Sequence, residues 1–119
     1  MDREWFEYEF IETEIFEREL KKFCASEEEQ SELKNFVAIN RHKGKGIGKS
    51  GIKKIRVQLK GRGTRGGGRV IYYFTDENDS FILFMMIYSK SEKEDLSNDE
   101  EVLLTKVLQK ILKQRGTYE

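Results

Sequence analysis

Residues 69–88 read RVIYYFTDENDSFILFMMIY, two apolar segments separated by a short polar one. Residues 69–74 are rich in β-branched and aromatic side chains, and residues 81–88 form a nearly continuous apolar run. Both features are typical of strands, and the six polar residues between them are typical of a turn. This stretch therefore predicts a β-hairpin.

Flanking segments extend the hairpin into a sheet. Upstream of it, three apolar residues alternate with three polar ones, which predicts a strand with one cationic face. The two alternating sets are Ile55, Val57 and Leu59, and Lys54, Arg56 and Gln58. Residues 5–11 alternate between apolar and acidic side chains, and predict a further strand with one buried face. Residues 41–51, rich in glycine and lysine, are interpreted as a loop.

Three helices complete the pattern. The first begins after Thr13, and capping boxes of Ser26 with Glu29 and of Ser97 with Glu100 open the second and third. The predicted buried stripes are Ile15, Phe16, Leu20 and Phe23; Leu33, Phe36, Val37 and Asn40; and Leu103, Leu104, Val107, Leu108, Ile111 and Leu112. Residues 1–119 are thus predicted to form one α+β domain, an antiparallel sheet with two N-terminal helices and one C-terminal helix.

Length and composition exclude several classes of protein. A chain of 119 residues with 12% aromatic residues has enough apolar surface for a core. The single cysteine, Cys24, excludes a disulfide framework and fits a reducing cytosol. The longest apolar run, residues 81–88, is far shorter than the roughly 20 residues of a membrane helix. Because the N-terminus is acidic and resembles no targeting peptide, we expect a cytoplasmic protein without a membrane partner.

The net charge of zero conceals a strong segregation of charges along the chain. Residues 1–32 contain 4 basic and 12 acidic groups, residues 33–74 contain 12 basic groups and no acid, and residues 75–119 contain 6 basic and 10 acidic groups. Nine of the ten glycines lie between Gly44 and Gly68. An acid-free, glycine-rich block predicts an anion-binding surface, with phosphate as the anion. The alternative is a solvated face whose cations pair with the acidic ends.

Two glycine motifs resemble nucleotide-binding loops but lack the required context. Residues 61–66 fit G-x-G-x-x-G, yet a strand follows them instead of the helix that binds a pyrophosphate. Residues 48–50 resemble the end of a P-loop, but lysine occupies position 43, where that motif needs glycine. We interpret Cys24 as a core residue and His42 as a polar loop residue, and we expect no metal and no cofactor.

The basic block has the residues needed for phosphate chemistry. Strand periodicity places Lys54 and Arg56 on one face, about 7 Å apart, and Arg69 reaches the same patch if its strand is the antiparallel neighbour. Arginine binds phosphate through two parallel hydrogen bonds, and lysine adds a compact charge. The same groups can bind a phosphodiester, or stabilise the phosphorane formed when a ribose 2′-hydroxyl attacks it. Clustered cations also lower the pKa of a neighbouring lysine, which favours proton transfer. Composition leaves binding and cleavage both open.

Three segments, GIKKIR (51–56), GRGTRGGGRVIYYF (61–74) and IYSKSEKEDL (87–96), together resemble the RelE/HigB family of type II toxins. The glycine-rich loop before RVIYY is most similar to the HigB-type branch, and the resemblance covers nearly the whole chain. It implies a RelE-like fold, a metal-independent endoribonuclease that cleaves mRNA on the ribosome and so inhibits translation, and a cognate antitoxin. The catalytic residues that it implies are Lys54, Arg56, Arg69 and Lys90, and the RNA-binding residues are Lys60, Arg62, Arg65 and Lys93.

Two positions depart from the family pattern. Ser91 stands where a second arginine is expected, and Ser97, a helix cap, aligns with a tyrosine of some members. The resemblance therefore leaves the general acid and base unassigned. Two other functions remain open: a non-catalytic RNA- or ribosome-binding protein that uses the same patch, and a ParE-like poison of DNA gyrase.

Overall fold

The structure, a computed structural model, describes residues 8–59, 67–77 and 79–116. Its helices and strands are, in chain order, β1 (Glu9–Glu12), α1 (Glu14–Phe23), α2 (Glu27–Ile39), β2 (Lys45–Ile47), β3 (Ile52–Val57), β4 (Gly68–Thr75), β5 (Phe81–Ser89) and α3 (Asn98–Gln114). A 3-10 turn, Arg41–Lys43, joins α2 to β2. The predicted α+β class, with two N-terminal helices and one C-terminal helix around a sheet, is confirmed.

The sheet has the strand order β1-β5-β4-β3-β2. The predicted β4–β5 hairpin occupies its centre, and β3 and β2 extend it through antiparallel pairs. The sheet is predominantly antiparallel, as predicted, but β1 departs from the prediction because it pairs parallel with β5. Alternation within residues 5–11 reports one buried face but carries no information about strand direction. Of that predicted strand, residues 5–7 lie outside the described part of the chain.

Helices cover both faces of the sheet. On one face, α1 and α2 bury Phe16, Leu20 and Val37 against apolar residues of β3, β4 and β5. On the other face, α3 buries Leu104 and Leu108 against the opposite side of the same strands. Since successive side chains of a strand point to opposite faces, the central strands β4 and β5 are apolar at nearly every position. This explains the continuous apolar run in the sequence.

The predicted helix starts are confirmed. The side chain of Thr13 accepts a hydrogen bond from the backbone of Phe16, and both predicted capping boxes have both of their hydrogen bonds. Just after α3, Gly116 adopts φ +73°, a conformation that an L side chain rarely adopts and that is common where a helix ends.

The predicted buried stripes are wider than the surfaces that the sheet covers. Phe36 of α2 is 46% exposed and Leu103 of α3 is 54% exposed, although periodicity placed both on buried stripes. Each helix rests on the sheet through the centre of its stripe, Leu33 and Val37 in α2 and Leu104 and Leu108 in α3. Residues at the margins of the stripes therefore stay in contact with water.

Strand β2 lies within the segment that was predicted to be a loop, so that prediction is wrong for Lys45–Ile47. The strand has a single apolar residue and therefore no alternation. It forms because β3 supplies its hydrogen-bond partners, with Lys45 opposite Lys54.

Just before β2, Gly44 lies against the ring of the fully buried Tyr72, whose hydroxyl donates a 2.6 Å hydrogen bond to the carbonyl of Arg41. Burial raises the pKa of Tyr72 to about 12, so this donor stays protonated.

Gly44→Ala should destabilise the protein by about 1–3 kcal/mol, the usual cost of forcing an extra methyl into a packed site. A Cβ at position 44 would lie 2.1 Å from the hydroxyl oxygen of Tyr72, whereas a Cβ at Gly46 meets nothing within 4 Å. Urea unfolding of both alanine variants measures the effect, with Gly46→Ala as the matched control. Equal unfolding midpoints for the two variants would contradict this packing.

Candidate functional site

Register places four basic side chains on one face of the sheet. Arg56 of β3 lies directly opposite Arg69 of β4, and Lys54 lies directly opposite Lys45 of β2. Directly opposed residues project from the same face, and so do residues two apart in one strand. The predicted proximity of Lys54, Arg56 and Arg69 is therefore confirmed, and Lys45 joins them.

These side chains line a cleft of about 720 Å³. Its walls carry the three predicted residues Lys54, Arg56 and Arg69, together with Lys43 and Lys45 from the segment that Gly44 anchors to Tyr72. Cavities of about 300–1,000 Å³ are typical of sites for small ligands. We call it the basic cleft.

Arg69 is the buried member of the basic cleft. Arg69 is 3% exposed. Its guanidinium donates hydrogen bonds to the carbonyl of Gly68 at 3.2 Å and to the carboxylate of Glu94 at 3.0 Å. The Glu94 side chain remains 56% exposed. These two partners fix the direction of the guanidinium, and the Glu94 carboxylate occupies the position of an anion on it.

Lys54 is held in the same manner by the neighbouring carboxylate of Asp95. The hydrogen bond from Lys54 lowers the pKa of Asp95, and the positive charges of Lys54, Lys45 and Arg69 lower it further. Asp95 is therefore ionised at neutral pH. The two carboxylates of the β5–α3 connection thus neutralise two cations of the basic cleft.

Other cations of the basic cleft have no such counterion. Arg56, Lys43 and Lys45 are exposed, and among the described residues none of them has an ion-pair partner. An arginine with a free guanidinium can bind two oxygens of one phosphate at once. The basic cleft therefore combines two neutralised cations with three that are open to an incoming anion.

The remaining predicted site residues lie elsewhere. Lys90 is exposed in the turn after β5, where its backbone N–H donates to the carbonyl of Gly67, and it is not part of the cleft lining. Lys93 forms an ion pair with Glu100, which lowers the pKa of that carboxyl, and lies 5.0 Å above the Tyr88 ring. The predicted RNA-binding residues Lys60, Arg62 and Arg65 are outside the residues that the structure describes.

Sequence reasoning missed the acidic residues and the aromatic residue of the cleft. Glu94 and Asp95 were counted within an acidic C-terminal segment, although an acidic pair just after the last strand of a sheet with a cationic face is a usable signal. Phe36 was assigned to the core by its spacing. No pattern in one sequence shows which margin of a helix stripe faces a cleft.

Groups suited to proton transfer are scarce around the cleft. Tyr88, opposite Arg69, is buried. Burial is the main cause that raises the pKa of its hydroxyl, and nearby acids raise this pKa further while Arg69 lowers it.

The loop prediction for His42 is confirmed: it is exposed in the turn between α2 and β2 and contacts Asp76 at 3.1 Å, away from the cleft lining. The core prediction for Cys24 is also confirmed. Within the described ranges, no cluster of three or more His, Cys, Asp or Glu side chains is arranged around a metal position.

Asp95→Asn should strengthen the binding of tripolyphosphate by up to about fivefold, because it frees the Lys54 side chain from its ion pair with a solvent-exposed carboxylate. Isothermal titration calorimetry at low salt measures the change. Asp99→Asn is the matched control, since Asp99 is also exposed and lies outside the cleft lining. Equal gains in the two variants would mean that only net charge matters.

Comparison with known families agrees with this architecture. The family model described as RelE toxin of RelE / RelB toxin-antitoxin system matches residues 9–117. That range contains the five strands and three helices of the described residues, and every residue that lines the basic cleft. In the described residues, no helix is both long enough and apolar enough to cross a membrane. The chain belongs to the RelE family of toxins from toxin–antitoxin systems.

Proposed function

We propose that this RelE-family toxin is a ribosome-dependent endoribonuclease of the HigB-type branch, which cleaves mRNA in the cytoplasm and thereby inhibits translation. The observation that carries the proposal is the meeting of Lys54, Arg56 and Arg69 in one cleft. Family membership implies an antitoxin partner. The ribosome and mRNA are the further partners in this proposal.

The acidic pair supports a phosphodiester as the ligand. Glu94 and Asp95 place carboxylate oxygens on Arg69 and Lys54, where phosphate oxygens would make equivalent charge-assisted hydrogen bonds. Both carboxylates are largely exposed and belong to a connection between elements, so an RNA backbone can displace them. Displacement releases two cations at the position where a third, Arg56, is already open.

Cleavage in this cleft needs no metal. The ribose 2′-oxygen forms a bond to the adjacent phosphorus, the bond from phosphorus to the 5′-oxygen breaks, and the products are a 2′,3′-cyclic phosphate and a 5′-hydroxyl. Arg56 and Arg69 stabilise the negative charge that develops on the phosphorane. Lys54 supplies a proton to the leaving 5′-oxygen, and a base receives the proton of the 2′-hydroxyl.

The other predicted site residues take supporting roles in the proposal. Lys90, which the family resemblance implies to be catalytic, does not line the basic cleft, and in this proposal it contacts the RNA from outside the cleft. Lys93 contacts the RNA backbone after exchanging its ion-pair partner Glu100 for a phosphate. Lys60, Arg62 and Arg65 belong to the same set of proposed backbone contacts.

A non-catalytic RNA- or ribosome-binding protein is the second candidate. The observation that favours it is the shortage of proton-transfer groups: among the described residues, neither the single histidine nor an exposed tyrosine hydroxyl lines the basic cleft. The two candidates differ in one outcome. A nuclease leaves cut transcripts, whereas a binder leaves intact transcripts on stalled ribosomes.

Arg56→Ala should reduce mRNA cleavage at least about 100-fold, the usual loss when one group that stabilises a transition-state charge is removed. A cell-free translation reaction with a defined mRNA, analysed by primer extension, measures cleavage. Arg56 suits the test better than Arg69, because its side chain is exposed and its removal leaves no cavity in the core.

Arg18→Ala is the matched control, since Arg18 is an exposed arginine on α1 outside the cleft lining. It should cleave like the unmutated toxin, and thermal unfolding should show both variants to be folded. Full cleavage by Arg56→Ala would rule out the proposed centre. Ribosome stalling without any cleavage by the unmutated toxin would favour the binding protein.

A further inference from the structure

Phe36 is an aromatic side chain exposed in a charged cleft. It is 46% exposed and lines the basic cleft, whereas its helix neighbours Leu33 and Val37 are buried against the sheet. Other phenylalanine rings of the protein, such as Phe10, Phe16 and Phe81, pack against another aromatic ring. Among the described residues, Phe36 has no such aromatic partner. Exposed apolar surface of this ring thus lines the same cleft as the cations.

The surroundings of Phe36 indicate what can cover it. Apart from Ile55, the residues that share the cleft lining with it are polar or charged, and Lys43, Lys45 and Arg56 have no carboxylate partner among the described residues. An apolar peptide segment would leave these cations desolvated and unpaired. A nucleotide matches both the cations and the exposed ring, since its phosphate binds the cations while its base stacks on the ring. Aromatic rings beside cationic grooves are the usual platforms for single-stranded nucleic acids.

Asn40, one helical turn after Phe36, adds a polar group to the same wall of the cleft. Its side-chain N–H donates a 2.8 Å hydrogen bond to the carbonyl of Phe36. This bond directs the amide and leaves its Oδ1 without a donor among the described residues. That oxygen can accept a hydrogen bond from an amino or imino group on the edge of a base.

We propose that Phe36 is the stacking platform for one nucleobase of the RNA whose phosphodiester is bound by Arg56 and Arg69, and that Asn40 contacts the edge of that base. This inference rests on the proposed function and names how its substrate is positioned. Phe36 stacks on the base and takes no part in the chemistry. It fixes one nucleotide next to the phosphate that the cations bind.

The test uses a 5′-labelled single-stranded RNA of five nucleotides, made uncleavable by 2′-O-methyl groups, and versions of it with one abasic position. Fluorescence anisotropy measures binding to the full chain without ribosomes. For the unmutated protein, loss of one particular base should weaken binding at least about fivefold, the lower limit for a single stacked base. Phe36→Ala and Phe36→Leu should bind the complete RNA as weakly as the unmutated protein binds that abasic version. Phe36→Trp should retain tight binding.

Ile39→Ala is the matched control, because Ile39 is 55% exposed on the same helix and does not line the cleft. It should bind RNA like the unmutated protein. The proposal is overturned if the unmutated protein does not discriminate between complete and abasic RNA. It is also overturned if Phe36→Leu binds like the unmutated protein, or if Ile39→Ala loses as much affinity as Phe36→Ala, since apolar contact with a protein partner would then explain the patch.

Failure of this inference is separable from failure of the proposed function. Ribosome-dependent cleavage with unchanged RNA binding in Phe36→Ala would overturn only the stacking platform. Loss of RNA binding in Phe36→Ala, together with no cleavage by the unmutated protein, would retain the platform and overturn the nuclease.

Discussion

A guanidinium group that is removed from water must find acceptors for its hydrogen bonds and a counterion for its charge, and Arg69 obtains both at the end of the central strand pair. Its carbonyl partner belongs to Gly68 of the same strand, and its carboxylate partner, Glu94, comes from the connection after β5. The same connection also places Asp95 beside Lys54. The basic cleft therefore contains a guanidinium, that of Arg69, whose position is fixed by hydrogen bonds within the protein.

The remaining walls of the cleft depend on a close contact between backbone and ring. Gly44 lies directly against Tyr72, and the hydroxyl of that tyrosine holds the carbonyl of Arg41. Through this contact the segment that carries Lys43 and Lys45 runs along the edge of β3 instead of extending into solvent. One buried tyrosine thus brings cations from a sequence-distant segment to the arginine pair.

Sequence alone predicted the parts of the fold that depend on local chemistry. The capping residues Ser26 and Ser97, the apolar strands and the cationic face of β3 all follow from side-chain type and spacing, and the structure confirms each of them. The parallel pairing of β1, the strand β2 and the exposure of Phe36 depend on contacts between distant segments, which spacing does not report. In the site, periodicity predicted that the cations meet. It did not predict that Glu94 and Asp95 neutralise two of them.

The parallel β1–β5 pair also determines when the chain can complete its sheet. Glu9 is registered with Phe81, and the side chain of Thr13 donates to the carbonyl of Met85, 72 residues later. Contacts at such separation close a long loop and form slowly compared with the local hairpin of β4 and β5. During synthesis the N-terminal strand leaves the ribosome first, but its hydrogen-bond partner is made only after most of the chain. Strand β1 can therefore join the sheet only after β5 has been synthesised, whereas the β4–β5 hairpin forms between segments that are close in sequence.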